Sequence, residues 1–117
     1  MSPITRLQPE TRLSGATIHN GLVYLAGQVA EDSSLDTAGQ TADILRQVDA
    51  LLAEAGTDKS RLLSVQIFLA DMNELADMNR AWDEWLDHGN KPARATVEAA
   101  LADPAWRVEL TAIAALP

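Results

Sequence analysis

The hydrophobic period of this chain changes from helical to extended across one glycine. Within residues 37–55, Ile44, Val48, Leu51, Leu52 and Ala55 trace one face of a helix. Gly56 supplies the stop. From Leu62 to Ala70 the spacing is two, with Val65, Ile67 and Leu69 on one face and Ser64, Gln66 and Phe68 on the other, which predicts a strand. A helix with one apolar stripe must lie on something, and an adjacent strand with one apolar face is what it can cover.

The rest of the chain extends this pattern. Asn20-Gly21, the strongest short hairpin signal, predicts a turn between strands Ala16–His19 and Val23–Ala26. Residues 3–8 add a possible edge strand. Asn73 is placed to cap a second helix whose apolar stripe is Leu75, Met78, Trp82, Trp85 and Leu86, and Gly89 would end it. Strands over 94–102 and 106–115 follow, separated by Asp103-Pro104. The expected order is β-β-α-β-α-β-β, a two-layer α+β domain with two helices on one face of a mixed sheet. The opposite face needs a cover, and a homo-oligomer is the natural solution.

At 117 residues the chain fits one domain, 1–117, and its apolar fraction of 47% suits a folded globule. There is no cysteine, which removes disulfides, thiolate nucleophiles and cysteine metal sites. The first six residues lack a charged region followed by an apolar run, and no apolar stretch approaches the ~20 residues of a membrane span, so a cytosolic protein is expected. A net charge of −8 disfavours nucleic acid and anionic membranes as partners. His19 and His88 make no metal spacing, and His88 suits the negative end of a helix. Trp82 and Trp85 fall on the apolar stripe and read as core.

Two charges stand out because they sit among apolar or small neighbours on expected strands: Arg94 and Glu109. Charges are rarely buried unless paired or used. A guanidinium can hold a carboxylate through two hydrogen bonds, and a carboxylate can position water or move a proton. Arg94 can equally pair with Glu98 or Glu109, and Glu109 with Arg107, as plain structural ion pairs. Gly27, in Ala26-Gly27-Gln28, either lets a ligand approach the backbone or marks a β-bulge.

Ala26-Gly27-Gln28, Val65-Gln66-Ile67-Phe68-Leu69-Ala70-Asp71-Met72, Met78-Asn79-Arg80-Ala81-Trp82, Pro92-Ala93-Arg94-Ala95-Thr96-Val97-Glu98 and Val108-Glu109-Leu110-Thr111-Ala112-Ile113-Ala114 together resemble the Rid family, reactive intermediate deaminases of the YjgF type. The resemblance covers nearly the whole chain and is nearest to the YoaB-like branch. It implies a chorismate-mutase-like fold, a homotrimer with sites between subunits, and hydrolysis of 2-aminoacrylate-like enamines and imines to 2-keto acids and ammonia without a metal or organic cofactor. By the same resemblance Arg94 binds the substrate carboxylate, Glu109 holds and activates water, the Gly27 backbone helps bind the carboxylate, and the Thr96 carbonyl helps hold the water. Two positions depart from the family pattern. Leu13 stands where a cleft tyrosine is usual, and Ala26 where a serine is usual. Those losses leave a non-catalytic metabolite-binding module as the alternative, with ribonuclease activity, a label long attached to the family, less favoured by the charge.

Overall fold

In the computed structural model, which describes residues 2–117, Asn20 and Gly21 both take positive φ, 50° and 79°. A two-residue type I′ hairpin demands that conformation at both positions. His19 therefore pairs directly with Leu22, joining β2 (Ser14–His19) to β3 (Leu22–Gln28). The edge strand β1 (Thr5–Pro9) runs antiparallel to β2.

Helix α1 spans Thr37–Ala55, the range its period predicts. Its start is capped by Asp36, whose carboxylate accepts the Gly39 N–H at 2.8 Å. Its end is closed by Gly56 at φ 92°, with Gly56 N–H donating to Ala53 O and Thr57 N–H to Leu52 O, both 3.0 Å. Strand β4 (Leu62–Leu69) follows a short 3₁₀ turn. The pairing of β4 slips between Leu62 and Ser64, which lets Leu62 and Val65 both face the core although three positions apart.

The second helix departs from expectation at both ends. The capping carboxylate belongs to Asp71, which accepts the Asn73 N–H at 2.9 Å and starts a 3₁₀ turn over Met72–Glu74. Helix α2 (Leu75–Trp85) continues from that turn with no side-chain cap of its own. It stops before Gly89 because Leu86 turns extended and Asp87 gathers Gly89 and Asn90 into a separate turn. His88 Nε2 donates to the Asp83 carbonyl (2.9 Å), close to the helix end as expected.

Strand β5 covers Ala93–Glu98 rather than 94–102. It is an edge strand, parallel to β4, and it ends where β4 ends: Ala99 N–H reaches Leu69 O and no ladder partner remains beyond. Strand β6 covers Val108–Ala115 and inserts between β3 and β4, giving the order β1-β2-β3-β6-β4-β5. Only the β4–β5 pair is parallel, as a β-α-β crossover requires.

Both helices lie on one sheet face, where Val23, Leu25, Val65, Ile67, Leu69, Leu110, Ala112 and Ala114 meet Ile44, Val48, Leu52, Met78 and Trp82. The mixed sheet and two-layer α+β design follow the expectation. The face away from the helices keeps Tyr24 (42% exposed) and Val97 (43% exposed) in the open. No helix among the described residues is long and apolar enough to cross a membrane.

Candidate functional site

The pairing of β3 with β6 advances three residues on one strand and two on the other: Leu25 faces Ala112 and Gln28 faces Leu110. Ala26 and Gly27 thus stand together opposite Thr111, a bulge on the sheet face away from the helices. Thr111 Oγ1 donates to the Leu25 carbonyl at 2.7 Å and so satisfies a carbonyl beside the slip. The bulge reading of Gly27 holds, and the group that approaches its backbone closely is Glu109 of the same chain. A methyl group at Gly27 would come within 2.5 Å of Glu109 Oε2 and 3.0 Å of its Cδ. Only glycine lets the Glu109 carboxylate lie on that stretch of backbone.

A cleft of about 410 Å³ opens beside the bulge. Gly27, Ala26 and Gln28 line it from β3, Leu13 from the approach to β2, and Trp106 from the loop before β6. The structure therefore brings Leu13, Gly27 and, through Gly27, Glu109 to one end of the sheet.

Arg94 and Thr96 lie elsewhere. Arg94 pairs with Val65 and Thr96 with Ile67 in parallel register, which puts both on the helix face of edge strand β5. The Arg94 guanidinium carbon sits 5.2 Å from the centre of the Trp82 ring, within cation–π reach. Burial of that head lowers its pKa below the ordinary arginine value, and Asp83 acts in the opposite sense. Trp82 is core as expected, at 5% exposure, yet one face of its ring also carries this cation. Arg94 forms no ion pair with Glu98 or Glu109 among the described residues. Glu98 instead accepts the Met72 N–H at 2.8 Å, and Arg107 pairs with Glu74. Glu109 faces Phe68 on the other side of the sheet, two strands and three residues away from Arg94. At about 4.8 Å per strand and 3.3 Å per residue, that is roughly 10 Å in each direction plus the sheet itself. One chain cannot close both groups on one small molecule.

Thr96 Oγ1 is buried without a hydrogen-bond partner. Thr96→Val keeps the shape and removes the orphan hydroxyl, so it is expected to leave stability unchanged or raise it by up to about 1 kcal/mol. Urea unfolding checks this, and a loss above about 1 kcal/mol would mean the hydroxyl has a partner. Gly27→Ala is expected to fold normally, since the atom it meets ends a flexible side chain. It should displace the Glu109 carboxylate by about 1 Å, a misplacement that costs on the order of 100-fold where such a group acts in catalysis. A nuclear magnetic resonance shift of the Glu109 carboxyl carbon, measured against wild type, reports the displacement directly.

Residue reasoning missed Trp106 as a cleft residue. Its position is in phase with the inward set Val108, Leu110, Ala112 and Ala114, so alternation assigns it to a strand. The chain is held there by Gln40, fully buried in α1, whose Oε1 accepts the Arg107 N–H at 2.8 Å and whose Nε2 donates to Ala105 O at 3.0 Å. That clamp ends the ladder two residues early.

Comparison with known proteins decides the kinship. The endoribonuclease L-PSP family model matches residues 3–116. The chain belongs to the L-PSP (YjgF/RutC) family. A RutC family protein of Haemophilus influenzae is 54% identical over 95% of this chain and 97% of its own length. The RutC family protein YoaB of Escherichia coli strain K12 is 44% identical over 97% of this chain and 98% of its own length. The crystal structure of NMB1025, a YjgF protein family member from Neisseria meningitidis, superposes with a TM-score of 0.95 at 45% identity, covering 98% of this chain and 96% of that one. The resemblance to the Rid family and its YoaB-like branch is thereby established, and so is the fold. The RutC and YoaB relatives carry family names that state no reaction.

Proposed function

We propose that this L-PSP family member is a cytoplasmic hydrolase that converts reactive 2-imino and 2-enamino acids to 2-keto acids and ammonia, at sites shared between neighbouring copies in a homotrimer. The observation that carries the reading is the Glu109 carboxylate laid on the Gly27 bulge beside an open cleft. Among the described residues the Glu109 carboxylate held there forms no ion pair. Arg94, a cation of the edge strand, likewise forms no ion pair among the described residues. A second copy that docks its edge strand against the open sheet face supplies the missing half.

In that arrangement the substrate carboxylate docks on Arg94 of one copy and the Gly27 backbone of the next. Charged hydrogen bonds contribute about 1.5–3 kcal/mol each, enough to select and orient an anion. The imine carbon faces a water held by Glu109 and the Thr96 carbonyl. Glu109 accepts a proton from the water as its oxygen bonds to carbon and the C=N electron pair moves to nitrogen, and Glu109 then passes that same proton to the nitrogen. The carbinolamine returns its hydroxyl proton through Glu109 to nitrogen. The C–N bond then breaks, C=O forms and ammonia leaves. Such an electrophile needs positioning and proton transfer more than strong activation.

The ribonuclease label has weaker support. His19 Nδ1 is engaged with Pro3 O at 3.0 Å and His88 Nε2 with Asp83 O at 2.9 Å, and the chain carries −8 charge. The test is the decay of 2-imino acids released by an amino-acid oxidase, with semicarbazide trapping what remains. Wild-type protein is expected to speed that decay at least tenfold over buffer, a barrier change of about 1.4 kcal/mol. Decay at the buffer rate would overturn the reading.

A further inference from the structure

Arg94 is held by a ring and by no acid. Its guanidinium carbon lies 5.2 Å from the centre of the Trp82 ring. Asp83 stands near enough to favour its charge without pairing with it. The arginine side-chain hydrogen bonds among the described residues belong to Arg61, Arg80 and Arg107. The N–H groups of Arg94 are therefore uncommitted. A carboxylate partner would fix the guanidinium too, but it would occupy the donors that a ligand needs. An aromatic face attracts the cation through its quadrupole and uses no donor. It also shields one face of the head from water, which strengthens charged hydrogen bonds made at the edge.

The ring is itself fixed. Trp82 is buried at the inner side of α2 and leans on Trp85, with ring centres 5.6 Å apart. The Trp85 indole N–H donates to Asp49 of α1 at 2.9 Å. Lys59 Nζ lies 4.9 Å from the centre of the Trp85 ring and also donates to the Trp85 carbonyl. Two cations thus flank a pair of indoles anchored to both helices. A side chain locked by its neighbours is what holds a binding group to its productive position.

We propose that Trp82 is a positioning residue for the substrate carboxylate: its indole holds the Arg94 guanidinium in place with one face dry and the donors free. The proposal rests on the imine-hydrolase reading for the identity of the substrate and adds a residue to that site. Trp82 touches no reacting atom and acts through Arg94.

The experiment compares wild type, Trp82→Phe, Trp82→Met and the buried control Ile44→Val. It titrates 2-oxobutanoate by calorimetry and reads kcat and KM for the matching imino acid. Trp82→Met is expected to raise both Kd and KM at least about fivefold, equivalent to about 1 kcal/mol. Its kcat should stay within about twofold, because the carboxylate is held alike in ground and transition states. Trp82→Phe keeps a ring and should stay within about threefold of wild type in Kd. Ile44→Val loses stability and should move neither constant. A spectroscopic arm covers a Trp82→Met protein that does not fold. In Trp106→Phe protein the remaining indoles are Trp82 and Trp85. Their emission is expected to change on adding 2-oxobutanoate, and to stay constant when Arg94→Ala is added. Unmoved Kd and KM in folded Trp82→Met, or emission that ignores the keto acid, overturns the positioning role, and with wild-type turnover intact the hydrolase reading stands. Weakened keto-acid binding in Trp82→Met without turnover in any protein overturns the hydrolase reading and leaves the positioning role standing. A wild type that neither binds the keto acid nor turns over the imine overturns both.

Discussion

Arg94→Ala and Glu109→Gln proteins, each nearly inactive alone, are expected to recover activity when unfolded together and refolded as a mixture. Each substitution removes charged hydrogen bonds worth about 3 kcal/mol or more in sum, so each should slow imine hydrolysis at least about 100-fold. The two groups lie on opposite faces of one sheet and cannot share a substrate within a chain. In a head-to-tail ring with random mixing, about a quarter of the junctions join an intact Arg94 to an intact Glu109. The mixture should therefore show about a quarter of the wild-type rate per site. Steady-state rates of the mixture against each refolded variant check this. A mixture no faster than its components would mean that the groups do not meet across a junction.

Gln40→Leu is expected to destabilise the fold by about 3–5 kcal/mol although leucine fills nearly the same space. Gln40 is fully buried, and its carboxamide serves the carbonyls of Ser33, Leu35 and Ala105 and the N–H of Arg107. Each buried polar group left without a partner costs about 1–3 kcal/mol. For a domain of this size the melting temperature should fall by roughly 10–20 °C. Thermal and urea unfolding at one fixed protein concentration measures it, since assembly makes the midpoint concentration-dependent. A fall below about 3 °C would show that water replaces the amide. Because the same carboxamide holds the turn bearing Trp106, this variant should also lose the cleft wall.

Local rules carried much of the fold. The stripe from Ile44 to Leu52 needs only the helical period, and its bounds hold to the residue because Asp36 and Gly56 close the ends by bonds to near neighbours. Asn20-Gly21 is equally local. The reading faltered where two nearby residues compete. Asp71 outbids Asn73 as the cap because its side chain reaches the Asn73 N–H before the helix begins. It also faltered where a distant partner sets an end, as β4 does for β5 and Gln40 for β6.

The candidate site divides in the same way. Residue types and family likeness single out Arg94, Glu109, Gly27, Thr96 and Leu13, but spacing says nothing of which faces they share. That is settled by strand order, because insertion of β6 between β3 and β4 lays Glu109 on a glycine 82 positions earlier in the chain (27 against 109). The amino-acid sequence by itself determined the elements, the apolar faces and the kinship, since periodicity and caps act over a few residues. Only the tertiary structure decided that Arg94 and Glu109 stand apart and that Trp106 walls the cleft, because pairings between remote strands choose each side chain's face and no local pattern encodes them.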